Sequence, residues 1–303
     1  MTLKQSLLAA AVLLAACVAF VLAAPARALN LVAAVGSLRV AEGQPYGHLP
    51  RQRYDLYRPP AETRPLGGWP LVVFFYGGAW NRGERADYRF VGETLARRGM
   101  LVMVADYRLH PQVHYPDFLR DCASATAFAL KQATAWGADA QRVYLMGHSA
   151  GAYNAAMLAL DERWLGATEH RPRELAGWIG LAGPYDFLPI KTPEVQAAFH
   201  HPNVPLDSQP IRHVQADGGV PGVPALLVAG AQDSRIDPVR NTRGLAIALR
   251  QAGTPVRLRE YGRLTHETAV AALAWPLQGL APVLDEVADF VRASEPVKAL
   301  AAR

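Results

Sequence analysis

Between Pro70 and Asp233 the chain carries five short apolar runs: "PLVVFFYGG", "LVMVADYR", "RVYLMG", "LAGWIGLAGPYD" and "VPALLVAGAQD". They are apolar on consecutive rather than alternate residues, as suits strands covered on both faces. Segments with helical spacing separate them: "ADYRFVGETLARRGM", "DFLRDCASATAFALKQA" and "SAGAYNAAMLALDERW". After the fifth run, "RNTRGLAIALRQAG" reads as a helix with a glycine stop, "PVRLREYG" as a last strand and "LAPVLDEVADFVRAS" as a closing helix. Upstream, "RYDLYRP" alternates with period two and reads as an edge strand. This alternation predicts an α/β fold, a mostly parallel central sheet with helices on both faces. No linker or internal repeat divides it, so residues 29–303 read as one domain. Residues 184–222 are the exception, rich in Pro and His and weakly periodic, and read as a lid or a substrate wall.

The N-terminus has its own pattern. Lys4 precedes the uncharged run "SLLAAAVLLAACVAFVLAA", and "PARALN" follows. A basic start, an apolar stretch and Ala26-Arg27-Ala28 predict an export signal at residues 1–28, cut after Ala28, and a periplasmic or secreted protein. Residues 5–24 are also about as long as a membrane-spanning helix needs, so the second reading is a retained anchor and membrane association. "LAAC" at Leu14–Cys17 permits a third, a lipidated Cys17. After a cut at Ala28 only Cys122 remains, which excludes an intramolecular disulfide; Cys122 reads as a packed small residue of a helix. The net charge of +5 comes from scattered basic residues, with no basic run interleaved with aromatics, so a nucleic-acid partner is not expected.

The third apolar run ends in Gly147-His148-Ser149-Ala150-Gly151, and a helical segment follows at once. A serine hydroxyl is a weak nucleophile until a base takes its proton. In G-x-S-x-G the serine sits on a strained strand-to-helix turn, and the helix N-terminus offers free N–H groups to developing negative charge. Tyr76-Gly77-Gly78-Ala79-Trp80 follows the first run, where small residues let backbone N–H groups face a cavity. The N–H groups of Gly78, Ala79 and Ala150 are the candidate oxyanion donors, such a donor being worth roughly 3 kcal/mol. Nine histidines compete for the base. His266, in "YGRLTHETAV" after the last strand, lies where sites form in open α/β sheets. The His148 ring is expected to point away from that base. "LLVAGAQDSRIDPV" offers two acids, Asp233 and Asp237. The carboxylates form no metal-ligand cluster, and neither a metal nor a cofactor is expected.

As a set, "YGGAW", "DYRL", "GHSAG", "GAQDSRIDP" and "THE" resemble the α/β-hydrolase carboxylesterases, in particular those similar to hormone-sensitive lipase, to feruloyl esterases and to kynurenine formamidase. The resemblance runs from about Tyr54 to Ala293. It implies an α/β-hydrolase fold and a serine esterase cleaving a small carboxylic ester through an acyl-enzyme. It also implies the triad Ser149, Asp233, His266, because Asp233 fits the family's Gly-x-x-Asp-x-x-Val-x-Pro pattern. Asp237 then falls in the variable slot, as the cap of the helix beginning near Pro238. Trp80 and Phe187 are candidate acyl-pocket walls, and Arg108 of "DYRL" is expected to pair with a buried acid such as Asp121. One departure stands out: the family's His-Gly-Gly is Tyr76-Gly77-Gly78 here. An amidase of the kynurenine formamidase type and a non-catalytic binding protein of the same fold are the alternatives.

Overall fold

The computed structural model describes residues 25–214 and 222–293. In chain order its elements are α1 (Pro25–Ala33), β1 (Arg39–Pro45), β2 (Arg53–Tyr57), β3 (Trp69–Phe75), α2 (Arg89–Arg97), β4 (Leu101–Ala105), α3 (Asp117–Trp136), β5 (Ala138–His148), α4 (Ala150–Leu160), α5 (Glu162–Gly166), β6 (Gly177–Leu181), α6 (Pro193–Ala198), β7 (Ala225–Gly230), α7 (Gly244–Gln251), β8 (Val256–Tyr261), α8 (Thr268–Ala271) and α9 (Val283–Ala293). The strands form one eight-stranded sheet in the order β1-β2-β4-β3-β5-β6-β7-β8. Pairing is antiparallel for β1/β2 and β2/β4 and parallel elsewhere. This is the α/β-hydrolase arrangement.

Each of the five apolar runs became an inner strand. β3, β4, β6 and β7 are buried along their whole length because helices cover both faces. The covering helices follow ordinary rules. α9 buries Val283, Leu284, Val287, Phe290 and Val291, an i, i+1, i+4, i+7, i+8 stripe. Burial of each such side chain contributes about 1.5–3 kcal/mol. α3 stops at Gly137, whose left-handed backbone (φ 88°) directs its N–H to the carbonyls of Ala133 and Thr134.

One expectation needs correction. "RYDLYRP" is not the edge: β2 pairs on both sides, and β1 is the outermost strand. β1 reads "RVAEGQP", with Gly43 and Pro45 inside it and no buried residue, which are edge-strand properties that hide a strand from an apolar-run reading. Helix α1 was not anticipated either, and the expected cut after Ala28 falls inside it. Of the expected export signal or anchor, residues 1–24 lie outside the described residues; of the expected lid segment, 215–221 do. Among the described residues no helix is long and apolar enough to cross a membrane.

Register positions the functional loops. In the β3/β5 ladder Phe75 pairs with Gly147, and in β5/β6 His148 pairs with Leu181. The Gly77–Trp80 loop and the Ser149 turn therefore leave neighbouring strands at the same level. β7 and β8 end in register at Gly230 and Tyr261, which brings the loops carrying Asp233 and His266 to the same end of the sheet.

Candidate active site

β5 gives way to α4 through a single residue, Ser149, at φ 54°, ψ −120°. Such backbone in a non-glycine residue costs on the order of 1–3 kcal/mol and persists only where surroundings impose it. Here the Ser149 N–H donates to Leu181 O (2.9 Å), and Ser149 O accepts from Tyr153 N (3.1 Å). The flanking glycines are required by space. A Cβ on Gly147 would collide with the Gly151 carbonyl, and one on Gly151 with the Phe75 carbonyl.

His266 Nε2 lies 2.8 Å from Ser149 Oγ, and His266 Nδ1 lies 2.8 Å from Asp233 Oδ2. His266 is 6% exposed. The second Asp233 oxygen, Oδ1, accepts the N–H groups of Arg235 and Ile236 (2.9 Å each). Burial works to raise the Asp233 carboxyl, but the hydrogen bond and charge of His266, with those two N–H groups, outweigh it and hold the group below its ordinary value. Asp237 stands apart: its Oδ1 accepts Val239 N (2.9 Å) and Arg240 N (3.2 Å), capping the wide turn Val239–Arg243 that leads into α7.

The expectation for His148 was wrong. Its ring does not point away from His266 but lies against it, with centroids 5.0 Å apart, and its Nε2–H donates to the His266 backbone carbonyl (2.9 Å). Being last in β5, it projects toward the loop after β8, where that contact satisfies Nε2, while Nδ1 faces the Tyr88 hydroxyl at 3.5 Å. Burial, reinforced by the neighbouring His266, pushes the His148 imidazole down to about 3, so it stays neutral.

The Gly77–Trp80 loop coils through three positive φ angles, at Gly78 (138°), Ala79 (51°) and Trp80 (58°). Among the described residues none accepts a hydrogen bond from the N–H of Gly78, Ala79 or Ala150. Gly78 and Ala79 line a cavity of about 610 Å³ beside Ser149 and His266; Ala150 is buried in the first turn of α4. Tyr76, where the family has histidine, is stacked on Tyr107 (4.7 Å) and Tyr88 (5.8 Å). Its hydroxyl accepts from Arg51 Nη2 (2.7 Å), and its carbonyl accepts from the Tyr107 hydroxyl (2.7 Å). Arg51 also donates to Gly83 O (2.8 Å), so one guanidinium ties both ends of the loop.

Trp80 and Phe187 both line the cavity, with their rings stacked at 6.0 Å. Behind Trp80 stand Phe199 (4.7 Å) and Tyr153 (5.0 Å), both edge-on, and its Nε1–H donates to buried Asn154 Oδ1 (3.1 Å). Phe187 belongs to a longer stretch of wall, the segment from Pro184 to Val195. Asn241 fixes its start, Oδ1 accepting the N–H groups of Tyr185 (2.7 Å) and Asp186 (2.8 Å). Arg51, Asn154 and Asn241 carried no signal in the sequence; each acts only through partners brought from far along the chain. Arg108 makes its expected pair, with Nε and Nη2 on the two Asp121 oxygens (2.8 and 2.9 Å). Cys122 is fully buried, and burial pushes its thiol up and away from reactivity. His170 bonds Glu174, and His200 bonds Tyr115 O, both away from Ser149. A larger open groove of about 1320 Å³ at the starts of β7 and β8 is lined by His170 and Glu174 and contains none of Ser149, Asp233, His266 or the candidate oxyanion donors.

Residues 54–243 match the BD-FAE family. The chain is 31% identical over 276 residues to isoprenylcysteine alpha-carbonyl methylesterase ICME of Arabidopsis thaliana, covering 82% of this chain and 61% of that protein. It is 24% identical over 230 residues to kynurenine formamidase of Danio rerio, covering 76% and 75%. The chain spans about half the length of the curated plant relatives it matches. Among solved structures, the apo form of Thermogutta terrifontis esterase 2 superposes with a TM-score of 0.65 at 25% identity, covering 82% of this chain and 94% of that one.

Proposed function

Because the chain belongs to the BD-FAE family, we propose that it is a carboxylic ester hydrolase, working through a serine acyl-enzyme. The observation that carries the mechanistic reading is the continuous relay from Asp233 through His266 to Ser149, with both links at 2.8 Å. In this reading Ser149 Oγ attacks the ester carbonyl while His266 Nε2 takes its proton. Asp233 accepts from Nδ1–H, which holds the imidazole in the tautomer with a free Nε2 and stabilises the imidazolium. The N–H groups of Gly78, Ala79 and Ala150 receive the oxyanion, their lack of acceptors among the described residues leaving them available. As the tetrahedral adduct collapses, the C–O bond to the alcohol breaks and His266 returns the proton to the departing oxygen. Water, deprotonated by the same nitrogen, then cleaves the acyl-enzyme and releases the acid.

The acyl side of the cavity is closed by Trp80, itself backed by Phe199 and Tyr153, so short acyl chains are preferred. A panel of p-nitrophenyl esters should turn over fastest between acetate and hexanoate, and faster turnover of a long-chain ester would refute this. A fluorophosphonate probe should label the protein at Ser149 and leave Ser149→Ala unlabelled, with kcat lowered about 10³-fold or more. An unlabelled wild type would favour the binding-protein alternative. The amidase alternative draws on the formamidase relative, which matches three quarters of both chains. N-formylkynurenine run beside the esters decides it: turnover above that of the best ester would make the protein an amidase.

A further inference from the structure

Helix α1 breaks the usual rule for a surface helix. Its inner side packs Leu29 and Ala33 against the core, and the Asn30 side chain donates to the carbonyls of Ala86 and Asp87 and accepts the Phe90 N–H. The side turned away should be polar. Instead it presents Leu31 (64% exposed) and Val32 (46%), and Val35 (77%) follows. Val32 and Val35 line one groove of about 340 Å³ together with Trp275, which is 76% exposed. Contiguous exposed apolar surface of this kind marks an interaction site.

Cations surround the patch. Arg97 lies in the groove and donates to the carbonyls of Val35 (2.7 Å) and Gly36 (3.0 Å), and no carboxylate among the described residues pairs with it. Arg27, on α1, is exposed and makes no ion pair among the described residues. Asp285, next in sequence to Leu284 of the groove, is taken by Arg98 (2.6 Å). The sequence before Pro25 is the uncharged run Ser6–Ala24, which ends where α1 begins.

We propose that this patch is a bilayer-facing surface: residues 6–24 tether the chain to an anionic membrane, and the outer side of α1, Val35 and Trp275 rest in its interfacial layer. Exposed aliphatic side chains on a short helix, an exposed tryptophan and flanking arginines are the composition that interfacial binding uses. The patch shares no lining residue with the Ser149 cavity, so the two surfaces act independently.

Trp275 supplies the probe, because Trp69, Trp80, Trp164 and Trp178 are buried and Trp136 is partly buried against the core. The full chain and Trp275→Phe are reconstituted into phosphatidylcholine–phosphatidylglycerol vesicles carrying brominated acyl chains, and tryptophan emission is compared. Bromolipid should quench a component of the wild-type emission that the variant lacks, and high salt should weaken that quenching by screening Arg27 and Arg97. Both proteins should keep the same ester turnover. Equal quenching of the two proteins overturns the proposal, as does recovery of the expressed chain with residues 1–28 removed.

Discussion

Asp233 and Asp237 stand four residues apart on one loop, and each carboxylate is committed by the N–H groups it accepts. Asp233 holds its own turn with one oxygen and faces His266 with the other, whereas Asp237 spends one oxygen on the N–H groups of Val239 and Arg240. Asp233→Asn should therefore lower kcat by orders of magnitude, because the amide favours the wrong imidazole tautomer. Asp237→Asn should keep most of the activity and change stability by less than about 1 kcal/mol, since asparagine also caps. Steady-state kinetics and urea unfolding of the two variants check the pair; a dead Asp237→Asn beside a live Asp233→Asn would reverse the assignment. Ser149, Asp233 and His266 were legible in the sequence because their chemistry goes with a local context: the end of an apolar run, a glycine spacing, an order along the chain. The direction of the His148 ring was not legible, because it is set by the loop after β8, which lies 118 residues further on. Arg51 and Asn241 were silent for the same reason.

The elements most legible were those whose surroundings are uniform. A strand flanked by helices on both faces must be apolar throughout, so β3 to β7 declared themselves, and amphipathic spacing did the same for α2, α3 and α9. β1 has a neighbour on one side only and α1 an apolar outer side, so neither carries the pattern on which recognition rests. The junctions depend on close approach, which makes them sensitive to a single methyl group. Gly151→Ala would drive its Cβ into the Phe75 carbonyl, at the root of the Gly77–Trp80 loop. Overpacking of this kind costs about 1–3 kcal/mol, and the displaced loop should lower kcat as well. Gly166→Ala is the control, because nothing lies within 4 Å of its Cβ and stability should change by about 0.5 kcal/mol or less. Thermal midpoints and kcat measured on both variants decide the matter; a Gly151→Ala enzyme as stable and active as the control would show that the junction tolerates the methyl group.

For the molecule as a whole, two groups beside the proposed nucleophile shape how stability follows pH. His148 is neutral in the fold, its value pushed down to about 3, while in the unfolded chain it takes a proton near the ordinary 6.5. Protons thus favour the unfolded state, and stability falls as pH drops from about 6.5 toward 3, by up to about 1.4 kcal/mol per pH unit from this residue alone. Asp233, held below its ordinary value, acts in the same direction, its contribution being lost as pH falls through its folded value. The urea midpoint should therefore decline on acidification from about pH 7 to 4. His148→Gln, which keeps a donor for the His266 carbonyl but cannot titrate in this range, should flatten the decline; an unchanged slope would assign acid lability to other groups. The division of labour between sheet and excursions has a further consequence. The groups proposed to carry out the reaction sit on loops fixed at the ends of β3, β5, β7 and β8, while the Pro184–Val195 wall belongs to the connection between β6 and β7 and contributes no strand. A lineage carrying this fold can lengthen, shorten or rewrite that connection without altering the pairing of any strand, so new substrates are open to it by insertion and deletion as well as by point substitution.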